Sequence, residues 1–402
     1  MKIIYIKNKN DFGRFSKLNK NISFFLLEHS KTIKLLILLF LFFDELKSYS
    51  LDNEKILESN EYNSFNELKR KTNEKFSRNI LKEISIIKNL FSSKIESYKS
   101  LKNIIHITSS INNDQNYKYI LLVSMHSLLT NCNKNKNFII YHILCTPDFN
   151  ESSTIIFKSL LNKFSHNIQI IFYNMGNNFS NCKNKRFSEA AYYRLLTPVI
   201  INSDRIIHLD GDTLVFSDLE EMFNLNFNDN YILGIYDYLS GGVDYLGIKS
   251  NIYINSGVIL LNLKKIREDK KTIEFVNLTK SNIKIYDQTV INFVLYPKIG
   301  RLPSKYAIFN FEDTADIKLY VNCLRTKINL KEIEDALKKP VIIHNVLCYP
   351  KLWFFNSVYQ KYFTKCEQRK NCSCKKYYDI WHSFAKKTDY YKEIANFTGV
   401  II

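Results

Sequence analysis

The sequence predicts an α/β protein with a mixed, mostly parallel β-sheet flanked by helices. Short runs rich in Ile, Phe and Tyr alternate with longer helix-like runs over residues 104–209. The strand-like runs read "IIHIT", "FIIYHIL", "IQIIFY" and "RIIHL", and the helix-like runs between them read "YKYILLVSMHSLL", "STIIFKSLLNKF" and "SEAAYYRLL". Alternation of this kind builds a parallel sheet covered by helices on both faces. The chain has 402 residues, of which 46% are hydrophobic, so it can bury a sizeable core.

A short apolar run near the N-terminus has the layout of a targeting segment. Leu35–Phe43 is apolar throughout, follows a basic stretch and is closed by Asp44 and Glu45. Because a helix that spans a membrane needs ~20 apolar residues, we predict a signal sequence or a weak signal anchor at residues 31–45. A buried core helix is the alternative. The expected location is the secretory pathway, in the lumen of the endoplasmic reticulum or Golgi and associated with the membrane, for example as a type II membrane protein.

Composition divides the rest of the chain. Residues 1–30 form a basic N-terminal tail, and residues 46–103 are polar, which predicts a partly helical stem. Residues 104–362 carry the α/β pattern, and residues 363–402 form a basic tail that contains cysteines. Within that tail "KKYYDIWHSFAKK" predicts a solvated helix, with contact to an anionic membrane or to the stem as the alternative.

The charge and cysteine patterns argue against nucleic-acid binding and against a zinc site in the C-terminal tail. The net charge is +18, but Lys is scattered among Asn along the whole chain and forms no stripe interleaved with aromatic residues, so we expect no nucleic-acid partner. Eight cysteines suit an oxidising compartment, and their pairing is open. The cluster "CEQRKNCSC" matches no four-ligand zinc spacing, which favours disulfides or free thiols there.

Two carboxylates follow the strand-like run "RIIHL". Asp210 and Asp212 flank Gly211, just beyond the expected carboxyl end of the strand, where ligands of such sheets bind. Carboxylates one residue apart repel each other unless a positive group lies between them. A hard divalent cation, magnesium or manganese, satisfies that requirement and leaves coordination positions for phosphate oxygens. The alternative is a solvated turn in which Asp caps a helix.

Four segments in order give this pattern a family context. They are Ser188–Phe223, Tyr253–Glu268, Tyr286–Leu295 and Val341–Trp353. Together they resemble glycosyltransferase family 8, whose members are retaining enzymes that use nucleotide sugars on the Rossmann-like GT-A fold. The resemblance runs from about Ile104 to Trp353 and makes residues 104–362 the catalytic domain.

The resemblance implies a metal site and a nucleotide site. Asp210, Asp212 and His344 match the ligands of a divalent metal, Mn²⁺ or Mg²⁺, that bridges the donor diphosphate. Lys351 matches a lysine that contacts the diphosphate, although the last motif has Leu352 where the family has Pro; a solvated lysine is the alternative. The nucleotide would also be held by a loop at the first strand, which the resemblance places at Asp114 and Tyr117. For Asp114 a helix cap is the alternative.

The resemblance also implies a sugar site and a mechanism. Arg194, Asp237 and Asn255 match residues that grip the donor sugar, because sugar hydroxyls need carboxylate, amide and guanidinium partners. The Asp287–Gln288 pair also matches positions that grip the transferred sugar, and both are predicted catalytic residues. Gln288 matches the residue nearest the anomeric carbon, and Asp287 and Asp237 are the carboxylates available as nucleophiles. An amide is a poor nucleophile, so same-face attack, with the leaving phosphate accepting the proton of the acceptor hydroxyl, is favoured over a covalent intermediate.

The sequence therefore predicts a metal-dependent retaining glycosyltransferase that moves a hexose or related sugar from a UDP-sugar to a glycan, lipid or protein acceptor. The N-terminal segment would contact the membrane. Two alternatives from other classes are a catalytically silent GT-A-fold scaffold of the secretory pathway and a metal hydrolase that uses the Asp-x-Asp pair on phosphate esters.

Overall fold

A computed structural model describes the part of the chain that holds the α/β pattern and most of its flanks. The described residues are 80, 82–91, 103–114, 116–164, 168–182, 188–237, 252–280, 286–311, 317–318, 320, 330–347, 351–353 and 374–398. The chain divides into two units, residues 1–74 and 75–402, and every described residue belongs to the second. The predicted N-terminal tail, the targeting segment and residues 46–79 of the stem lie outside them.

The described residues contain eleven strands in two sheets. The strands are β1 Ser85–Phe91, β2 Asn103–Ile111, β3 Asn137–Cys145, β4 Ile168–Asn174, β5 Arg205–Leu209, β6 Thr213–Val215, β7 Ile232–Tyr236, β8 Ile254–Asn262, β9 Ile299–Arg301, β10 Ile308–Phe309 and β11 Ile342–His344. The large sheet has the order β1-β4-β3-β2-β5-β8-β7-β9, and the small sheet has the order β10-β11-β6.

Helices cover the large sheet and connect its strands. The α-helices are α1 Tyr117–Asn131, α2 Lys158–Phe164, α3 Thr197–Ile200, α4 Glu220–Phe223, α5 Leu263–Glu268, α6 Lys271–Lys280, α7 Asp287–Leu295, α8 Leu330–Lys338, α9 Cys374–Ala385 and α10 Tyr391–Thr398. The segments Glu151–Phe157, Ser180–Cys182, Glu189–Leu196 and Ser304–Tyr306 form 3₁₀ turns. None of the helices in the described part of the chain combines the length and apolarity needed to cross a bilayer.

The large sheet confirms the predicted mixed, mostly parallel arrangement. The pairs β4–β3, β3–β2, β2–β5 and β7–β9 are parallel, whereas β8 pairs antiparallel with both β5 and β7, and β1 pairs antiparallel with β4. All nine residues of β3 are buried, as its continuous apolar sequence predicts for a central strand covered on both faces.

Part of the predicted helical stem is a strand instead. Residues 85–91, "SIIKNLF", form β1, which pairs antiparallel with β4 at the edge of the sheet. The run is too short and too rich in Ile for its irregular period to specify a helix, and pairing with a neighbouring strand determines its conformation.

The small sheet joins two distant parts of the chain at the carboxyl end of β5. Strand β6 follows the Asp-Gly-Asp turn and pairs antiparallel with β11, so that Thr213 lies opposite His344. Asn345 continues the contact, because its backbone N–H donates to the Asp212 carbonyl over 3.0 Å. This pairing brings the last predicted motif to the Asp-Gly-Asp turn.

Helix α9 packs against this region, so the predicted solvated helix is wrong. Trp381 is only 1% exposed, and its ring centroid lies 6.2 Å from that of Trp353. Phe384 meets Phe216, which follows β6, edge to face at 5.7 Å. The buried residues recur at helical spacing, so one face of α9 is apolar although its overall composition is basic.

Replacing Trp381 by Ala should remove this contact. We expect the free energy of unfolding to fall by about 3–5 kcal/mol, the usual effect of truncating a buried Trp, measured by urea unfolding. Asp379→Ala, on the exposed side of the same helix, is the matched control and should change stability by less than about 0.5 kcal/mol. Equal effects of the two substitutions would contradict the packing described.

Candidate functional site

Three side chains with metal-ligating atoms converge where β5, β6 and β11 meet. Asp210 follows β5, Asp212 precedes β6, and His344 ends β11. Their ligand atoms all lie within 4.8 Å of one another, and no other group of this kind occurs among the described residues. His344 Nε2 lies 3.1 Å from Asp212 Oδ1 and 3.9 Å from Asp210 Oδ2. The structure therefore brings the three predicted ligands together.

The space between these ligands depends on Gly257 in β8. The Asp210 N–H donates to the Gly257 carbonyl over 2.7 Å, which holds the two backbones close. A Cβ atom at residue 257 would lie 2.2 Å from His344 Cε1 and 2.6 Å from Asp210 Oδ2. The side chain of any other residue would fill the space between Asp210 and His344, which we call the cradle. Sequence reasoning missed this position, although a glycine inside a buried strand indicates a close approach of other groups.

The residues present fit a divalent cation. Two carboxylates and one imidazole form an oxygen-rich set that suits Mn²⁺ or Mg²⁺ better than a soft metal. Three ligands from the protein also leave coordination positions for a phosphate-bearing substrate. The open cradle at Gly257 gives the cation room between Asp210 and His344.

Arg194 lies between two of the site's carboxylates. Its side chain is 6% exposed, donates to Asp210 Oδ1 over 2.8 Å, and places Nε 3.2 Å from Asp287 Oδ2. It also donates to the Ser256 carbonyl. Burial alone would raise the pKa of Asp210, but Arg194 and then His208 hold it well below its usual range. Asp287 differs, because burial raises its pKa despite the nearby guanidinium.

Lys351 pairs with the second carboxylate of the turn. Its Nζ lies 3.0 Å from Asp212 Oδ2 and also donates to the Asn345 carbonyl over 2.7 Å. Burial opposes ionisation of Asp212, yet Lys351 and His344 together lower its pKa. The lysine of the altered last motif therefore lies in the site and is not merely a solvated surface residue.

A second group of polar side chains lies beside Arg194. Asp237 Oδ2 accepts from Asn255 Nδ2 over 3.1 Å and from Gln288 Nε2 over 2.9 Å. Gln288 Oε1 in turn accepts from the Ser256 N–H over 3.1 Å. Asp287, at the start of α7, closes the group through Arg194. The structure thus brings together four residues predicted to contact the sugar, Asp237, Asn255, Asp287 and Gln288, beside Arg194. Ser256 joins them, although sequence reasoning did not select it.

The two residues predicted at the loop after the first strand, Asp114 and Tyr117, differ in their surroundings. Tyr117 is half-buried, with its hydroxyl beside Gly211, where an added Cβ would lie 3.0 Å away. Burial, Asp210 and Asp212 raise the pKa of its phenol. Asp114 is exposed, and its Oδ1 accepts from the N–H groups of Asn116 and Tyr117 over 2.8 and 3.2 Å. These contacts close the turn before α1, as the alternative role of Asp114 as a helix cap requires.

His208 is a further site residue that sequence reasoning missed. It lies within β5, is fully buried, and places Nε2 3.2 Å from Asp210 Oδ1. Burial first, and then Arg194, lower its pKa to about 4. The available indication was its position two residues before Asp210 in an otherwise apolar strand.

Comparison with known proteins places these residues in a family. Residues 106–356 match the family described as Glycosyl transferase family 8. A putative glycosyltransferase of Haemophilus influenzae is 27% identical over 252 residues, which cover 60% of this chain and 71% of the relative. Lipopolysaccharide 1,2-glucosyltransferase of Escherichia coli is 26% identical over 211 residues, or 48% of this chain and 60% of the relative.

Among solved structures, the galactosyltransferase LgtC in complex with donor and acceptor sugar analogues shares the fold. It superposes with a TM-score of 0.52 and 21% identity over 65% of this chain and 95% of LgtC.

These relatives correct the predicted localisation. Both curated relatives named above are glycosyltransferases of bacteria, which have neither an endoplasmic reticulum nor a Golgi apparatus. The prediction of a secretory-pathway protein is therefore wrong. Cys145 and Cys182 are free thiols.

Replacing Arg194 by Met should destabilise the protein in a pH-dependent way. Asp210 and Asp287 would lose their cation, and their pKa values would rise above those of the unfolded chain, which are about 4. The folded variant then binds protons more tightly than the unfolded chain, so its stability falls as the pH rises. We expect a loss of about 3–5 kcal/mol at pH 8 and a smaller loss at pH 5 in urea unfolding.

Arg267→Met is the matched control. Arg267 donates to the backbone carbonyls of Pro198, Ile201 and Ser203. Its one carboxylate neighbour among the described residues, Asp204 at 3.7 Å, is 76% exposed, so that pair is weak. The loss of stability should therefore be the same at both pH values. If the Arg194 variant also showed equal losses at pH 5 and pH 8, the two carboxylates would not depend on the guanidinium.

Proposed function

Because the chain belongs to glycosyltransferase family 8, we propose that it is a retaining, metal-dependent enzyme that transfers a hexose or related sugar from a UDP-sugar. The observation that carries the proposal is the Asp210–Asp212–His344 group, whose ligand atoms lie within 4.8 Å of one another. It lies beside Arg194, which links it to the polar group at Asp237 and Gln288. A diphosphate and a sugar joined to each other need such adjacent sites.

In this proposal Asp210, Asp212 and His344 hold Mn²⁺ or Mg²⁺. When bound, the cation supplies positive charge that neutralises the donor diphosphate and eases its departure. Lys351 contributes a second positive charge as a point donor to the phosphates. Its contact with Asp212 Oδ2 supports this role, because it keeps the ammonium at the edge of the metal site.

Tyr117 and Asp114 are proposed to hold the nucleoside of the donor. The Tyr117 ring lies beside the Asp-Gly-Asp turn and offers an apolar face for the base. The exposed Asp114 carboxylate keeps acceptor capacity beyond its two backbone contacts.

Asp237, Asn255, Arg194 and Gln288 are proposed to bind the sugar hydroxyls. Asp237 and the two amides already hold one another in fixed orientations, so little ordering is needed when the sugar binds. Gln288 and Asp287 then lie nearest the anomeric carbon.

Retention is proposed to proceed by attack from the face that the diphosphate leaves. The bond from the anomeric carbon to the phosphate oxygen breaks, the acceptor oxygen bonds to the same face, and the acceptor proton passes to the leaving phosphate oxygen. Both nearby carboxylates are already engaged, since Asp287 pairs with Arg194 and Asp237 accepts from two amides. These contacts disfavour either one as a nucleophile.

The acceptor in this proposal is a glycan. One relative is named for glucosyl transfer in lipopolysaccharide, and LgtC was crystallised with an acceptor sugar analogue. The altered last motif, with Leu352 where the family has Pro, favours the alternative of a catalytically silent scaffold. The position of Lys351 at Asp212 argues against it.

Asp212→Asn should abolish most turnover. We expect release of UDP from a panel of UDP-sugars to require Mn²⁺ or Mg²⁺ and to fall by about 10²–10³-fold in the variant, because the substitution removes a charged ligand. Asp335→Asn, at an exposed position on α8, controls for loss of a carboxylate and should retain full activity. Metal-independent turnover by the wild-type protein, or an active Asp212→Asn enzyme, would refute the metal-dependent mechanism.

Same-face attack predicts that no sugar becomes attached to the protein. Intact mass spectrometry after incubation with a slowly reacting fluorinated UDP-sugar should show the unmodified mass, and a retaining glycosidase that forms a covalent intermediate provides the positive control. A sugar ester mapped to Asp287 or Asp237 would instead establish a double-displacement mechanism.

A further inference from the structure

The two oxygens of Asp210 have different surroundings. Oδ1 lies 2.8 Å from Arg194 NH2 and 3.2 Å from His208 Nε2. Oδ2 faces the cradle at Gly257 and lies 3.9 Å from His344 Nε2. One oxygen is thus held by two donors from the protein, while the other is directed toward the remaining ligands of the metal group.

The geometry fixes the role of the His208 ring. A carboxylate only accepts hydrogen bonds, so the ring nitrogen that faces it must carry hydrogen. Nε2–H therefore donates to Asp210 Oδ1. The other nitrogen, Nδ1, is buried and has no hydrogen-bond partner in the part of the chain that the structure describes. Asp210 is the one side chain to which the His208 ring is hydrogen-bonded within that part.

A space-filling role does not explain this ring. His208 is fully buried in β5 between Ile207 and Leu209, which are fully buried and apolar. An aliphatic side chain could fill the space without leaving a buried nitrogen unpaired, which is an unfavourable arrangement. The contact with Asp210 is the feature that an aliphatic residue could not supply.

Arg194 alone would hold Oδ1 less firmly. The guanidinium is shared, because it also contacts Asp287 and the Ser256 carbonyl. His208 contacts Asp210 from the strand that leads directly into the Asp-Gly-Asp turn, so its position is tied to that of the carboxylate. Two donors from different elements restrict rotation of the carboxylate more than one donor does.

We propose that His208 is a positioning residue for the metal site, which holds Asp210 Oδ1 so that Oδ2 is the oxygen presented to a divalent cation. The proposal rests on the proposed function, because it takes Asp210 as a metal ligand. Outer hydrogen bonds of this kind orient metal ligands, and their loss typically lowers metal affinity 10–100-fold.

The test is Mn²⁺ binding, measured by isothermal titration calorimetry on the full chain without donor sugar. His208→Gln keeps a donor near the place of Nε2, whereas His208→Asn is equally polar but too short to reach Asp210. His208→Phe removes the donor and keeps the ring volume. We expect the Gln variant to bind within about 3-fold of wild type and the Asn and Phe variants to bind 10–100-fold more weakly.

His142→Phe is the matched control. His142 is also a buried histidine of the large sheet, but it bonds Tyr173 and His106 and contacts no ligand of the metal group. It should lose thermal stability while keeping wild-type Mn²⁺ affinity. That combination separates an effect on the metal site from general loss of stability.

The possible failures are distinguishable. If wild-type protein does not bind Mn²⁺, the proposed metal site fails and the inference fails with it. If wild type binds Mn²⁺ and the Asn and Phe variants bind it equally well, only the role of His208 is overturned. Where the Phe variant does not fold, the Asn variant alone decides this. The same holds if the Gln variant is as weak as the Asn variant.

Discussion

Repulsion among carboxylates is the constraint on which the site depends. Asp210, Asp212, Asp237 and Asp287 lie close together beyond the ends of β5 and β7 and at the start of α7, where burial makes an unbalanced charge costly. Arg194 contacts two of them and Lys351 a third, while Asp237 accepts from two neutral amides. Arg194 contacts Oδ1 of Asp210 and Lys351 contacts Oδ2 of Asp212. The other oxygen of each carboxylate faces His344.

The backbone achieves this arrangement with two antiparallel pairings in an otherwise mostly parallel fold. Strand β8 lies antiparallel to β5, which puts Gly257 against Asp210 and Ser256 within reach of Arg194 and Gln288. Strand β11 lies antiparallel to β6 and delivers His344. Asp210 and Asp212 therefore come from one short turn, whereas Gly257 and His344 come from strands that are distant from that turn in sequence.

The sequence predicts those strands and site residues that are encoded by a local apolar pattern or by a motif. Alternating apolar runs predict β2 to β5, and the Asp-Gly-Asp turn with its family motifs points to the ligands that the structure brings together. The pattern does not predict that Gly257 and Ser256 serve the site, because their role follows from the antiparallel placement of β8. Nor does it predict β1 or the buried face of α9, since both conformations depend on partners distant in sequence. The contact of His208 with Asp210 requires knowing which way the ring points, which strand alternation alone leaves open.

The pairing of β6 with β11 has a consequence for the order in which the protein is made. A ribosome delivers Asp210 and Asp212 well before His344 and Lys351, which lie 132 and 139 residues after Asp212, and α9 follows later still. Domains form from the amino end as synthesis proceeds, so the nascent chain carries the carboxylates of the turn before their imidazole and ammonium partners exist. The group of Asp210, Asp212 and His344 is therefore completed late in translation, and a growing chain carries the proposed site only in part.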